Sequence, residues 1–363
     1  MISYQLSVLP SAIASAQPDR IFVLTDANTN QLCLPLLQQL GVSAPVITIG
    51  ASDEAKNLES LSQVWTALSQ GGATRHSLLV NLGGGMVTDL GGFAASTFKR
   101  GIKYINIPTT LLAMVDASVG GKTGINFCGL KNEIGVFSES EAVIIDTAFL
   151  RTLGTHDLLS GYAEMLKHGL ISTEQHLAEL LRFDIVELNR VQIGTVGGPD
   201  LDSDAPDNAD DYALLGTLIA KSVGVKQDIV TQDPHEHGLR KALNLGHTVG
   251  HALESTALAQ RHPVLHGYAV AWGLMCELYL SVAKCGFPQA TLRKMAHFIV
   301  ENYGRPAITC KQYDSLYELM KHDKKNTAGT INFTLLSDVG RLQLDQHCSK
   351  ELIFEALDFL REG

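Results

Sequence analysis

Two histidines one helical turn apart have the clearest potential for chemistry in this sequence. His247 and His251, in the segment HTVGH, stand at positions i and i+4, so they share one helix face and could bind one metal ion. His266 follows after a loop, and Glu164 and Lys167 share one face of an earlier predicted helix. One carboxylate and two or three imidazoles suit zinc or a similar divalent ion.

The alternative is a pair of ordinary core or surface histidines, which is the commoner origin of an isolated pair at this spacing. However, Gly246 and Gly250 immediately precede the two histidines. Glycine inside a helix costs about 1 kcal/mol relative to alanine, so close packing must justify it. The glycines therefore weaken the alternative without removing it.

A run of three glycines at 83–85 is the second feature. It follows an apolar strand pattern and precedes a helical one, the context in which a helix N-terminus binds a pyrophosphate. As a GxGxxG fingerprint the run is imperfect, because Thr88 occupies the third glycine position. A tight strand-to-helix turn is the alternative. Asp26 and Asn28, after the first strand, could meet a ribose hydroxyl, although an aspartate there is more often a helix N-cap.

Eight basic residues lie among apolar or glycine-rich neighbours. A buried cation needs an anion, and a phosphate or carboxylate of a substrate would supply one if these side chains converge. For any single residue, the alternative is a long side chain on the surface with its charge in water. The eight are Arg100, Lys122, Lys131, Lys167, Lys226, Arg240, Lys324 and Lys325.

The elements that must position these residues differ between the two parts of the chain. Up to about residue 150, the pattern predicts strands at 20–26, 45–50, 77–82, 104–107 and 142–146, and helices at 29–41, 53–69 and 87–98. This alternation indicates βαβ units and a mostly parallel sheet. Later, it predicts helices at 157–171, 173–183, 212–231, 241–257, 265–285, 288–302, 311–321 and 352–359, with a β-like pair at 331–336 and 341–344. We therefore predict two domains, 1–150 and 151–363.

Composition excludes several classes of partner. The net charge of −10 over 363 residues argues against nucleic acid, whose phosphates need a basic face. The six cysteines form no CxxC pair, which indicates reduced thiols in a cytoplasmic protein. The N-terminus has no signal-peptide pattern. The apolar run 269–283 is interrupted by Glu277 and is too short for a bilayer, so we predict a buried helix and no membrane contact.

The acidic segment 197–211 contains six aspartates. Asp202 and Asp204 begin a calcium-loop pattern, but Pro206 and a missing glycine break it. We predict a solvated surface loop.

Six motifs together resemble the 3-dehydroquinate synthase family, within the wider sugar-phosphate cyclases. They read GGGMVTDLGGFAAS, KRGIKYINIPTTLLAMVDASVGGKTGIN, GLKNEIGVF, GYAEMLKHGLI, GLRKALNLGHTVGHALE and LHGYAVAWG, and the resemblance extends from about residue 26 to residue 340. The resemblance implies an α/β Rossmann-like dinucleotide-binding domain, then an all-α metal- and substrate-binding domain, with the active site in the cleft between them. It also implies a homodimer.

The resemblance implies a specific reaction as well. Members of this family convert 3-deoxy-D-arabino-heptulosonate 7-phosphate to 3-dehydroquinate and phosphate, in the shikimate pathway of aromatic amino acid biosynthesis. NAD transiently oxidises a hydroxyl, phosphate leaves by β-elimination, the ketone is reduced again, and an intramolecular aldol step closes the ring. A divalent ion, zinc or cobalt, would act as a Lewis acid.

Carried over by motif, the resemblance assigns roles residue by residue. It makes Glu164, His247 and His266 the metal ligands, so that His251, which the spacing argument includes, lines the active site instead. The implied substrate-binding and catalytic residues are Arg100, Asp116, Lys122, Asn132, Lys167, Lys226, Arg240, Asn244, His251, Lys324 and Lys325. The implied NAD contacts are Asp26, Asn28, Asp53, Lys56, Gly84, Gly85, Asp89, Thr109, Thr110, Lys131 and Thr152.

Some positions depart from the family pattern. Thr88 and Asp53 replace a glycine and a glutamate, Tyr268 replaces the glutamate after His266-Gly267, and His156-Asp157 replaces an Arg-Glu pair. Three alternatives stay open. The first is a sister cyclase, such as a 2-deoxy-scyllo-inosose or valiolone-type synthase. The second is a metal-dependent alcohol or glycerol dehydrogenase, and the third is a catalytically inactive NAD-binding or scaffolding protein.

Overall fold

A parallel sheet forms from apolar runs of the first 150 residues. The computed structural model describes residues 1–188, 209–321 and 330–363. The strands up to residue 144 are β1 Ile2–Ser3, β2 Ile21–Asp26, β3 Val46–Ile49, β4 Leu78–Gly83, β5 Lys103–Pro108, β6 Lys122–Phe127, β7 Leu130–Phe137 and β8 Ala142–Ile144. Six of them form one sheet in the order β1-β8-β5-β4-β2-β3, with every neighbouring pair parallel. All six residues of β4 are buried, as expected for a strand covered on both faces.

The strand order reverses beside β2. This strand pairs with β3 on one side and with β4 on the other, although β3 and β4 follow it in the chain. In such sheets, ligands bind outside the carboxyl ends of the strands at the switch point. Asp26 ends β2 and Gly83 ends β4, so both candidate nucleotide segments stand at this position.

Five α-helices accompany these strands: α1 Leu9–Ala16, α2 Ala27–Leu32, α3 Leu34–Gln39, α4 Leu58–Gln70 and α5 Gly85–Thr97. The prediction of one helix over 29–41 is wrong, because the segment divides at Cys33 into α2 and α3. Pro35 causes the division, since proline fits the first turn of α3 but donates no hydrogen bond to a preceding turn.

The hairpin of β6 and β7 was not predicted. Its strands pair antiparallel, and every residue of β7 is exposed, so the apolar-polar alternation that signals a half-buried strand is missing. Gly124 faces β7 so closely that a Cβ there would lie 2.5 Å from the carbonyl oxygen of Ile134.

Short helical turns complete the described ranges. The 3₁₀ helices are Leu6–Val8, Asp53–Ala55, Phe98–Arg100, Thr147–Thr152, Leu239–Asn244 and Cys310–Gln312, and one π-helical turn spans Ala113–Ala117.

Helices dominate the later part of the chain, as predicted. They are α6 Thr155–Leu170, α7 Glu174–Arg182, α8 Ala209–Gln232, α9 His247–Ala259, α10 His266–Cys285, α11 Gln289–Tyr303, α12 Tyr313–Lys321 and α13 Lys350–Glu362. The predicted β pair is an antiparallel hairpin of β9 Phe333–Asp338 and β10 Arg341–Gln346. The helix predicted at 241–257 is instead a 3₁₀ turn and α9, separated at Gly246, whose φ of 80° does not belong to a helix.

The chain groups into two compact units. The first comprises Met1–Gly154 and Tyr212–Val223, and the second comprises Thr155–Asp211 and Gly224–Gly363. Every helix in the described ranges is too short or too polar to cross a membrane. The predicted domains 1–150 and 151–363 stay a prediction.

Helices α9 and α10 meet through glycines in the second unit. A Cβ at Gly273 would lie 1.9 Å from the carbonyl oxygen of Gly246, and one at Gly250 would lie 2.9 Å from that of Ala269. Only glycine lets two helix backbones approach so closely. The glycines beside the histidines indicated close packing, and this packing is present. It holds the start of α9 against α10.

We expect Gly273→Ala to destabilise the second unit by about 3 kcal/mol or more, because the added methyl group overlaps a backbone oxygen that cannot move alone. Gly224→Ala is the matched control. It lies within α8, and no described atom lies within 4 Å of its added methyl group, so we expect a gain of up to about 1 kcal/mol. Urea denaturation of both variants measures the difference, and equal midpoints would contradict the close contact.

Candidate functional site

The start of α5 is built to approach a ligand with its backbone. Gly84 is the N-cap, and a Cβ there would lie 3.0 Å from the methyl group of Thr110. A Cβ at Gly83 would lie 2.5 Å from Val87. The first N–H groups of a helix have no partner within it and carry its positive dipole end. With its glycines at the switch point of the sheet, this turn fits the phosphate groups of a nucleotide.

Thr88, which departs from the fingerprint, does not disturb this turn. Its N–H donates to the carbonyl of Gly84 at 3.1 Å, as in a regular helix, and its hydroxyl donates to Gly85 at 3.1 Å. Gly91 instead allows the helix to pack closely against the sheet, since a Cβ there would lie 2.1 Å from Oδ1 of Asn81. The helix therefore starts regularly although the third glycine is absent.

Asp26 is the N-cap of α2. Its Oδ1 accepts a hydrogen bond from the N–H of Thr29 at 2.8 Å, and the Thr29 hydroxyl accepts one from the N–H of Asp26 at 3.0 Å. This capping box is the alternative that the sequence left open, and it fixes the carboxylate at the end of β2. Asn28 is exposed in the first turn of the same helix.

A polar cluster, which we call the lysine network, connects four of the predicted nucleotide contacts with Asn132. The ammonium of Lys56, buried at 4% exposure, donates to Asp89 Oδ2 at 2.5 Å and to Oδ1 of Asn132. Lys131 pairs with Asp53 at 3.3 Å. Charged groups with fixed partners keep one geometry, so the network presents a preorganised polar surface.

Asn126 organises this network, and sequence reasoning missed it. Its Oδ1 accepts from the N–H of Asn132 at 2.9 Å, and its Nδ2 donates to the carbonyl and the carboxylate of Asp53, both at 3.3 Å. Its own N–H donates to the carbonyl of Lys56 at 2.8 Å. The only signal in the sequence was its place at the end of GGKTGIN, because its partners lie on two other segments, 53–56 and the strand that carries Asn132.

The remaining candidate site residues of the first unit lie at strand ends or in segments with an uncommon backbone conformation. Asp116 lies in the π-helical turn, a conformation frequent at functional sites. Arg100 has a φ of 70°, which a side chain rarely adopts without a functional or structural reason. Thr109 follows β5 and donates its N–H to Gly83 at 3.0 Å. The others, each partly or fully exposed, are Thr110, Lys122 and Thr152.

Three helices of the second unit bring Glu164, His247 and His266 together as what we call the histidine cluster. Oε1 of Glu164 lies 3.4 Å from Nε2 of His247 and 3.5 Å from Nε2 of His266. One atom from each of the three side chains falls within 4.8 Å of the others, the arrangement that one metal ion requires. Their helices are α6, α9 and α10.

The Nδ1 atoms of His247 and His266, which point away from the shared carboxylate oxygen, face other oxygen atoms. Nδ1 of His247 lies 3.1 Å from the carbonyl of Leu245, and Nδ1 of His266 lies 3.4 Å from Glu254 Oε2. Such partners fix the ring orientation of metal-binding histidines and leave Nε2 for the ion. The donor set and its supports therefore fit a divalent metal.

The charges of the cluster depend on each other. Burial would raise the pKa of Glu164, but Lys167 and His247 outweigh it and hold this pKa well below its usual range. Desolvation would lower the pKa of His266, but the carboxylates of Glu164 and Glu254 raise it to about 10. The site therefore holds an ionised carboxylate beside cationic groups, and it can bind a cation when those protons leave.

Three cations predicted to face an anion are buried in the second unit. Lys167, Lys226 and Arg240 are exposed by 1%, 6% and 2%. Lys167 donates to Oε2 of Glu164, and Arg240 donates to the carbonyl of Pro234 at 2.6 Å. Burial of this degree excludes ordinary surface side chains.

The two remaining candidates of the second unit lie beside these groups. Nδ2 of Asn244 donates to Glu236 Oε1 at 3.0 Å. The ring of His251 lies 5.3 Å from that of His247, between ring centroids.

Asp233 is a second residue that sequence reasoning missed. Its carboxylate accepts the N–H groups of His237, Gly238 and Arg240 at 2.9, 2.7 and 2.9 Å. These bonds, that of Arg240 first, lower the pKa of Asp233 to about 2. Asp233 thereby fixes the backbone from which Arg240 extends. The only sequence signal was an Asp-Pro turn.

Two of the departures from the family pattern contact each other. Nδ1 of His156 lies 2.7 Å from the hydroxyl of Tyr268, and the Tyr268 ring also packs on Tyr303 at 5.1 Å between centroids. A hydrogen bond between histidine and tyrosine therefore joins these two positions. Since Tyr268 is in the first turn of α10, this bond supports the helix that begins at His266.

Some predictions fall outside the described residues. These are Lys324, Lys325, the surface loop predicted over 197–211 for its residues up to 208, and the calcium-loop alternative at Asp202 and Asp204.

Comparison with protein families matches both parts of the chain. The 3-dehydroquinate synthase N-terminal family model matches residues 46–160, and the 3-dehydroquinate synthase C-terminal model matches residues 161–326. A 3-dehydroquinate synthase of Parabacteroides distasonis is 51% identical over 359 residues, which cover 98% of this chain and 96% of the relative.

Solved structures share the fold. A 2-epi-5-epi-valiolone synthase from Streptomyces hygroscopicus, solved with NAD⁺ and Zn²⁺ bound, has a TM-score of 0.81 at 25% identity, and the match covers 100% of this chain and 96% of that one. A 2-deoxy-scyllo-inosose synthase complexed with carbaglucose-6-phosphate, NAD⁺ and Co²⁺ has a TM-score of 0.77 at 23% identity, with the same coverage, and shows the fold alone.

We expect metal-stripped protein to bind one divalent ion per chain, and His247→Ala to lose this binding, because one converging nitrogen disappears. His262→Ala, in the exposed turn after α9, is the control and should bind like the wild type. Elemental analysis after dialysis and competition with a chromophoric chelator measure both. Equal zinc affinity in the two variants would contradict the assignment of the cluster.

Proposed function

Because the chain belongs to the 3-dehydroquinate synthase family, we propose that it converts 3-deoxy-D-arabino-heptulosonate 7-phosphate to 3-dehydroquinate and phosphate. The observation that carries this proposal is 51% identity to a 3-dehydroquinate synthase over 98% of the chain. The histidine cluster supports it, because this arrangement of one carboxylate and two imidazoles suits a catalytic metal. The enzyme would be a carbon–oxygen lyase that eliminates phosphate, a homodimer, and cytoplasmic.

NAD would be held by the carboxyl edge of the sheet and by the lysine network. Gly84 and Gly85 would bring backbone N–H groups to its pyrophosphate. Asp26 is fixed by its capping box at the end of β2, where an acidic group can accept hydrogen bonds from a ribose. When bound, NAD supplies reversible hydride transfer, so the enzyme needs no second redox substrate. The further contacts that we propose are Asn28, Asp53, Lys56, Asp89, Thr109, Thr110, Lys131 and Thr152.

The histidine cluster would hold zinc, or cobalt in its place. Such an ion supplies a Lewis acid that polarises a hydroxyl or carbonyl oxygen. Glu164 and the two histidines would hold it, and Glu254 with the carbonyl of Leu245 would keep the imidazoles in the binding orientation. The same contacts prevent the rings from turning away between turnovers.

The buried cations of the second unit would bind the anionic groups of the substrate. Lys167, Lys226 and Arg240 are shielded from water, where a charge interacts with a phosphate or carboxylate far more strongly than on the surface. Asp233 keeps the Arg240 backbone in place, so the guanidinium reaches one position. Holding the substrate in one reactive geometry is itself a large contribution to catalysis.

Other residues keep the roles that the resemblance implies, as proposals. Asn244 and His251 of the second unit would bind the substrate, as would Arg100, Lys122 and Asn132 of the first. Asp116 would take part near the reacting groups. Lys324 and Lys325 complete the proposed set.

Phosphate release by the purified, zinc-loaded protein tests the activity. We expect release from 3-deoxy-D-arabino-heptulosonate 7-phosphate, and none from sedoheptulose 7-phosphate or glucose 6-phosphate. In Glu164→Ala, release should fall to background, because one metal ligand and the partner of Lys167 disappear together. Glu355→Ala, an exposed position on α13, is the control and should keep full activity.

Two outcomes would contradict this proposal. Release from sedoheptulose 7-phosphate instead would assign the chain to the sister cyclase function, which the fold shared with a valiolone synthase makes the second candidate. Unchanged metal content and phosphate release in Glu164→Ala would show that the histidine cluster is not the metal site.

We expect Asn126→Ala to raise the KM for NAD about tenfold with a smaller change in kcat. Its side chain holds Asp53 and Asn132 through three hydrogen bonds, each worth about 0.5–1.5 kcal/mol, and a tenfold change in KM corresponds to about 1.4 kcal/mol of lost binding free energy. Phe127→Ala changes the neighbouring, exposed residue of the same strand and is the control. Initial rates at varied NAD measure both, and an equal KM in the two variants would contradict the role of the network.

A further inference from the structure

The N-cap residue of helix α9 has no side chain that could accept hydrogen bonds from the first turn. Its N-cap is Gly246, with a φ of 80°, and glycine offers no side-chain acceptor for the first N–H groups of the helix. No larger residue fits there, because a Cβ would lie 2.8 Å from Leu274 and 3.0 Å from the carbonyl of Val270. The acceptor must therefore come from elsewhere in the fold.

Glu277 of α10 supplies that acceptor. It is completely buried, and its Oε2 accepts the N–H of Gly246 at 2.6 Å. Its Oε1 accepts the N–H groups of Thr248 and Val249 at 3.0 and 3.3 Å. A negative charge at a helix N-terminus also interacts favourably with the helix dipole. One carboxylate thus caps α9 from a neighbouring helix.

The bonded peptide groups lie on both sides of His247. Its neighbours Gly246 and Thr248 each donate to the same carboxylate, so the backbone that carries the imidazole cannot rotate or slide independently. Glu277 also belongs to the helix that begins at His266. The carboxylate therefore fixes the start of one ligand-bearing helix to the body of the other.

We propose that Glu277 is a positioning residue for the metal centre, acting through the backbone on both sides of His247. This inference rests on the proposed function, in which the histidine cluster binds the ion. Glu277 would not touch the metal. It would keep Nε2 of His247 where Glu164 and His266 also point, and so maintain the affinity and geometry of the site.

Glu277→Gln tests the proposal. The substitution keeps the size of the side chain but replaces one acceptor oxygen by an NH₂ group, which would face a backbone donor. We expect the zinc affinity to fall about 10- to 100-fold, as is typical for residues that orient metal ligands. The visible absorption of the cobalt-substituted protein should change too, because it reports the ligand arrangement independently of activity.

Ser281→Ala is the matched control. Ser281 is also completely buried on α10, but its hydroxyl accepts the N–H of Leu336 in β9 at 3.1 Å and donates only to the backbone carbonyl of Glu277 at 2.7 Å, so it contacts neither the Glu277 carboxylate nor α9. It should lower thermal stability while leaving zinc affinity and the cobalt spectrum at wild-type values. If Glu277→Gln behaves in the same way, Glu277 is only a structural residue and the proposal is overturned.

Two further measurements keep the test decisive. If Glu277→Gln does not fold, Glu277→Asp replaces it, and we expect intermediate zinc affinity, since the shorter carboxylate cannot reach all three N–H groups. Wild-type affinity in that variant would overturn the proposal. In the unmodified protein, zinc should slow hydrogen exchange at Gly246, Thr248 and Val249, and unchanged exchange there would also count against it. A wild-type protein that binds no zinc would instead refute the metal site itself.

Discussion

The contact between the α9 and α10 backbones is the constraint on which the second unit depends most. Gly250 on one side and Gly273 on the other leave only hydrogen where side chains would meet the facing backbone, and Gly246 packs against Leu274 and the carbonyl of Val270. The helices can then approach closely enough for His247 and His266, at their first residues, to point at the same carboxylate. A pair of helices separated by ordinary side chains would lie about 8–10 Å apart and would hold the imidazoles less closely.

The first unit also depends on close approach of the backbone, but there the approach is to the edge of a parallel sheet. Its parallel strands end at one edge, and the order reversal beside β2 leaves room there for a ligand. Glycines let the start of α5 reach this edge, while side chains stiffen its surroundings through Lys56 and Asn126. In the first unit, backbone groups approach the ligand position, whereas in the second unit the helix backbones approach each other. In both units, longer polar side chains hold those backbones.

The sequence predicted features that follow from local pattern. The strands with continuous apolar runs and most of the helices with a 3.6-residue period were found where expected, but the segments 29–41 and 241–257 each divide into two elements. The glycines beside the histidines correctly indicated close packing. Asp26 shows the limit of local reasoning, because one carboxylate at a strand end fits both a cap and a ribose contact. The β6–β7 hairpin was missed since an exposed strand carries no buried face to produce a pattern.

Residues that act through backbone amides were the hardest to predict. Asn126, Asp233 and Glu277 each bind N–H groups, which every residue except proline carries, so no partner residue type reveals them. In a helical pattern, Glu277 even reads as a defect of an apolar helix. The proposed metal ligands were easier to predict, because the motifs that carry the family resemblance assign them, although helical spacing alone would have included His251.

The hydrogen bond between His156 and Tyr268 has a consequence for which residues these two positions can accept. The family pattern that the sequence resembles has an arginine and a glutamate at these two positions. Either exchange alone would still leave a donor facing an acceptor, as arginine with tyrosine or as histidine with glutamate. Each of these four pairings therefore offers a hydrogen bond that can support the start of α10.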